Sequence, residues 1–109
     1  MDVFPKFIIE KNIDSGETYL IIGKATYHRQ LACSEENVVS GGWYTYDNKD
    51  KSFTFHGESD QFGRAEVEHI LDCVRNDRVS TKHQRRDLSK KTGHKFYHRD
   101  QAGQKIELI

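Results

Sequence analysis

Hydrophobic residues in this chain follow a period of two almost everywhere and a period of 3.6 at one place. Short runs such as Trp43 to Asp47 and Ser52 to His56 alternate apolar or aromatic groups with polar ones, and polar turns separate them. Only Val67, Ile70, Leu71 and Val74 fall at i, i+3, i+4 and i+7. The first pattern buries one face of a strand and the second one stripe of a helix. The chain is therefore expected to be α+β: an antiparallel sheet of hairpins covered by a single packed amphipathic helix.

Along the chain, Val3 to Lys11 and Glu17 to Tyr27 read as a first hairpin, joined by turn chemistry at Asn12 to Gly16. Phe7 and Ile9 share one face and Ile8 takes the other. Apolar residues on both faces of Tyr19 to Ile22 suit a central strand. Residues His28 to Ser40 are less regular and end at Gly41-Gly42, which reads as a bend or a flexible approach. A second hairpin joins Trp43 to Asp47 and Ser52 to His56 through the polar Asp47-Asn48-Lys49-Asp50. Alternation sends Trp43 to one face and Tyr44 and Tyr46 to the other. The loop from Gly57 to Gly63 leads into the helix, whose early Glu66 and Glu68 and late Arg75 and Arg78 suit its dipole.

Ser80 to Thr92 is nearly all polar, and Gly93 stands where a C-terminal cap could sit, so a second helix there would be mostly solvent-exposed. His94 to Asp100 and Gln104 to Ile109 read as a third hairpin with Phe96, Ile106 and Leu108 inward. The expected order is ββββα, a basic connection with room for that second helix, then ββ. No Pro-, Gly- or Ser-rich linker divides residues 1–109, which read as a single domain. The final hairpin either extends the sheet or forms a small one of its own.

Charged residues make up 31% of the chain against 35% hydrophobic ones, yet six Phe, five Tyr and one Trp supply enough large side chains for a folded core. The longest apolar run, Tyr19 to Ile22, is far short of a bilayer span, and the N-terminus lacks the basic and apolar regions of a secretory signal. Cys33 and Cys73 are far apart, with no CxxC, which fits a reducing compartment and a cytoplasmic location.

Gly41-Gly42-Trp43-Tyr44-Thr45-Tyr46-Asp47, with Phe53-Thr54-Phe55-His56-Gly57-Glu58-Ser59 and Phe62-Gly63-Arg64-Ala65 after it, resembles a group of small bacterial proteins to which no activity is attached. The resemblance spans about a quarter of the chain. It implies the sheet-loop-helix order and a bacterial intracellular protein, and it carries no functional residues across.

A net charge of zero conceals a division. From Met1 to Val74 there are thirteen acids against seven Lys or Arg, and from Arg75 to Arg99 nine basic residues face only Asp77 and Asp87. Arg75, Arg78, Lys82, Arg85, Arg86, Lys90 and Lys91 could neutralise phosphates and release counterions, which is the pattern of nucleic-acid binding. Helical phase would put Lys82, Arg85 and Arg86 on one side. Two features oppose that reading: no aromatic lies between Arg75 and Lys95 to stack on bases, and the acidic remainder would repel a polyanion. The same asymmetry suits docking on a protein partner, or head to tail on a second copy.

A third reading places a ligand at the loop from His56 to Arg64, where Ser59, Asp60, Gly63 and Arg64 lie between a strand end and a helix start and free N–H groups could hold an anion. The plainer account is that Ser59, Asp60 or Gly63 caps the helix while Phe62 anchors the loop. His94 and His98, four strand steps and so about 13 Å apart, are too distant to share a zinc ion. Neither a metal nor a cofactor is expected, and no catalytic residue is assigned. Taken together, the sequence points first to a small non-enzymatic accessory or protein-interaction domain. Polyanion binding through 75–99 is the alternative, and a ligand-binding or enzymatic loop at 56–64 is the second alternative.

Overall fold

A computed structural model describes residues 2–82 and 93–108. Strands β1 (Phe4–Lys11), β2 (Thr18–Ala25), β3 (Val38–Asp47) and β4 (Ser52–His56) precede helix α1 (Val67–Arg75), and β5 (Val79–Thr81), β6 (Lys95–Arg99) and β7 (Lys105–Leu108) follow it. All seven strands form one curled sheet in the order β5-β2-β1-β3-β4-β6-β7. Mixed α+β architecture with one helix among the described residues agrees with the alternation and the single helical stripe.

The sheet is not purely antiparallel. β5 runs parallel to β2, pairing Leu20 with Val79, and β6 runs parallel to β4, pairing Phe53 with Phe96. The last hairpin therefore extends the main sheet. Ser80 and Thr81, expected in a connection or a second helix, belong to the edge strand β5, because Val79 is a fully buried apolar anchor beside Leu20. The rest of that expected helix, 83–92, lies outside the described residues. Among those described, no helix is long and apolar enough to cross a membrane.

One face of the sheet carries the main core. Phe7, Ile9, Leu20, Ile22, Phe53, Phe55, Phe96 and Leu108 pack under Ile70, Cys73 and Val74 of α1. Phe53, Phe55 and Phe96 stack with ring centroids 5.8–6.4 Å apart. Each side chain so buried contributes roughly 1.5–3 kcal/mol. Ile106 differs from expectation. It shares a face with Leu108 but pairs with His98 on the edge strand, and it stays 40% exposed.

On the opposite face, Ile8, Ile21, Ala25 and Leu31 form a second cluster. The segment after β2 closes it, making short 3-10 turns at His28–Leu31 and Glu35–Asn37 before returning as β3. Alternation places Lys6 and Glu10 on this same face. Glu10 accepts the Cys33 and Ser34 N–H groups at 2.9 and 3.0 Å, which holds the returning segment against the sheet.

Gly41-Gly42 is not a bend; both residues lie inside β3. A Cβ on Gly42 would stand 2.6 Å from Phe7 Cε1 and 2.7 Å from the His56 carbonyl. One on Gly41 would crowd Phe7 O, His28 and Ser59 at 3.0–3.2 Å. Close approach of neighbouring elements, rather than backbone freedom, requires glycine here.

Candidate functional site

Where β1, β3, the 28–31 turn and the loop after β4 meet, the structure gathers Lys6, His28, Trp43 and Glu58 to Gln61 around a pocket of about 550 Å3. Lys6 and Trp43 are direct partners across the β1–β3 ladder. Lys6 as a whole residue is only 4% exposed. Its Nζ donates to the Ala25 carbonyl at 3.1 Å and lies 4.2 Å from the Trp43 ring centroid and 5.0 Å from that of Phe4. Among the described residues no carboxylate comes within salt-bridge distance of this ammonium. Burial lowers its pKa from the usual lysine value.

Trp43 is braced by two rings. Phe4 and His28 meet its ring edge-on, each at 5.9 Å, and its indole N–H donates to the Glu58 carbonyl at 3.2 Å. Gly57 permits this contact. Its φ is +70°, and a Cβ there would stand 2.7 Å from Trp43 Cδ1. The loop can therefore fold flat over the indole.

His28 is buried, with Nε2 2.7 Å from the Gly42 carbonyl. A carbonyl only accepts, so Nε2 carries the proton and the neutral ring keeps its lone pair on Nδ1. Burial lowers the pKa, the Gly42 bond opposes that, the Lys6 charge lowers it further and Asp60 pulls it up. The site thus holds a neutral imidazole beside a poorly solvated ammonium. Ser59, 2% exposed, accepts the Phe62 N–H at 3.1 Å through Oγ.

Ser59, Asp60 and Gly63 do not cap α1. The cap is Glu66, whose side chain makes no capping bond. The loop closes on itself instead: Ser59 N–H reaches Gly63 O at 3.3 Å and Gly63 N–H reaches Ser59 O at 2.9 Å. Gly41 N–H then pins Gly63 O to β3 at 3.1 Å, three residues before the cap. Gln61 adds a tie by donating to Glu35. Ser59 and Asp60 reach the pocket, whereas Gly63 lies in the closing turn and Arg64 turns toward His98 and the start of α1.

The described members of the basic stretch do not share one patch. Arg78 pairs with Asp72 and donates through Nε to Thr18 O at 2.7 Å, fixing the end of α1 to the start of β2. Arg75 is exposed at the helix end, and Lys82 Nζ reaches Ala32 O at 3.4 Å. Lys95 and Arg99 stand on β6, separated from β2 by β1, β3 and β4. Arg85, Arg86, Lys90 and Lys91 lie outside the described residues, and with them two of the three residues of the expected helical face. Among the described residues no three His, Cys, Asp or Glu side chains are grouped as metal ligands.

No family model, curated protein or solved structure matches the chain.

The pocket must therefore be read from its own chemistry. Lys6 and His28 escaped the sequence reading, although one signal for Lys6 was present: it occupies the same strand face as Ile8, a position that alternation marks as inward. Nothing in the sequence couples His28 to Gly42, since that contact depends on how the segment after β2 folds back.

Proposed function

We propose that this protein is a small protein-interaction domain that captures a carboxylate of its partner, either a chain terminus or an acidic side chain, at Lys6. The observation that carries the reading is the ammonium itself. A buried charge is ordinarily paired, because desolvation costs several kcal/mol that only a counter-charge and hydrogen bonds offset. Lys6 has three donors, one carbonyl and two ring faces, and its missing counter-charge is an anion.

The surroundings narrow the partner. Asp2, Glu58 and Asp60 line the same pocket, so a polyphosphate or nucleic-acid backbone, with its many charges, would meet more repulsion than a single carboxylate whose basic flanking residues offset it. Val3, Phe4 and Tyr27 are 54%, 47% and 48% exposed. Phe4 and Tyr27 line the pocket directly, an apolar margin of the kind protein contacts use.

The test is a backbone amide NMR titration with two short peptides that differ only in a free or an amidated C-terminus, each with basic residues before it. Shifts at Lys6, Ala25, His28, Trp43 and Ser59 with the free acid alone support the proposal. Equal shifts with both peptides, or none with either, refute it.

A further inference from the structure

A second feature of the same sheet face lies away from the Lys6 pocket and does not depend on it. Arg99 on β6 and Lys105 on β7 are direct partners across the antiparallel ladder. Like charges placed opposite each other destabilise a strand pair. Among the described residues neither is in a salt bridge, and both are exposed. Each is nevertheless held in place: Arg99 Nη1 donates to Gly103 O at 2.9 Å, and Lys105 Nζ rests 4.4 Å from the Tyr97 ring centroid. Two cations are thus paired on the ladder, each with its head held by a partner of its own.

They border a concave region of about 640 Å3 that also takes in Lys49, Ser52 and Thr54. Ser52 and Thr54 are 2% and 6% exposed. Asp47 is the one carboxylate lining the region among the described residues, and its Oδ1 already accepts the Lys49 and Asp50 N–H groups at 2.9 and 3.4 Å. Three cations therefore face one engaged carboxylate. Guanidinium and ammonium groups so arranged suit the tetrahedral oxygens of a phosphate, the guanidinium through paired N–H donors and the ammonium as a point charge.

We infer that Arg99 and Lys105, with Lys49 at the margin, form a binding site for a phosphate group on the β6–β7 face of the sheet. The bound phosphate converts the Arg99–Lys105 repulsion into two attractions across it. Its source is either a phosphate monoester or the diester backbone of a single-stranded nucleic acid.

The experiment titrates the protein at low salt with inorganic phosphate, then a 5′-mononucleotide, then a short single-stranded oligonucleotide without terminal phosphate, following amide shifts by NMR. Shifts at Thr54, Arg99 and Lys105 that weaken at least about tenfold in Arg99→Gln and in Lys105→Gln support the site. A mononucleotide response alone identifies a monoester ligand, and a stronger oligonucleotide response identifies the diester backbone. Both substitutions relieve the like-charge pair, so the variants are expected to melt no lower than wild type in phosphate-free buffer. An absence of shifts with all three ligands, or shifts that both variants retain, would overturn the inference. Lys6→Met serves as the control that leaves these shifts unchanged.

Discussion

Lys6 and Trp43 face each other across the β1–β3 ladder with the lysine ammonium 4.2 Å from the indole ring centroid. The rest of the Lys6 pocket is arranged around this pair. β1 brings the ammonium, β3 the indole, the 28–31 turn the imidazole edge, and the loop after β4 the carbonyl that fixes the indole N–H. Four segments distant in sequence contribute one contact each.

The glycines that allow this packing should be intolerant of alanine. Gly42→Ala places a methyl 2.7 Å from a backbone carbonyl that cannot swing away, and it is expected to cost about 2 kcal/mol or more. Gly57→Ala combines a left-handed φ of +70° with a clash against Trp43 and should cost about 1–3 kcal/mol. Chemical denaturation measures both. Because the chain has a single tryptophan, Gly57→Ala should also shift the native emission spectrum, whereas Gly42→Ala should shift it less.

Stability should fall as the solution is acidified below neutrality. Burial lowers the pKa values of His28, His56 and His98, and the His98 Nδ1 is buried without a hydrogen-bond partner among the described residues. The unfolded chain takes up these protons near pH 6.5 while the folded protein does not, so the unfolded state binds more protons in that range. Stability is therefore full above the unfolded value. It declines as pH falls from about 6.5 toward the lower folded values, by up to about 1.4 kcal/mol per pH unit for each such group. Urea midpoints from pH 8 to pH 5 check this, and a flat profile would contradict it.

The two cysteines should separate cleanly in reactivity. Cys33 is exposed, whereas Cys73 is fully buried in the core with Sγ 3.4 Å from Thr18 O. Burial raises the Cys73 pKa above the usual thiol value, so little thiolate forms. A thiol reagent at neutral pH should modify one cysteine in the native protein and the second only on the timescale of unfolding.

Local signals in the sequence were sufficient for local structure. Extended runs such as Phe7-Ile8-Ile9 and Phe53 to His56, with turn residues between them, placed the three hairpins, and the Val67 to Val74 stripe placed α1. The parallel pairings of β5 with β2 and of β6 with β4 left no such trace. They join segments about 40 to 60 residues apart with no connecting turn to set the register. Gly41-Gly42 departs from the expected bend because glycine marks both a bend and a close approach, and only the positions of Phe7 and His56 separate the two. At the site, Ser59 and Asp60 were found in sequence from their loop chemistry. Lys6 and His28 depend on tertiary folding, which brings them to that loop from the N-terminal third of the chain.

The most direct test of the central claim follows Trp43 fluorescence while a free-acid peptide is titrated into wild type and into Lys6→Met. Methionine keeps an unbranched stem against the two rings and removes only the charge and its hydrogen bond to Ala25. Removal of an unpaired buried ammonium should leave stability within about 1 kcal/mol of wild type or raise it. A saturable change in wild type that is lost in an equally stable Lys6→Met is the result the account predicts. A change of the same size and midpoint in both proteins would show that Lys6 is not the anchor.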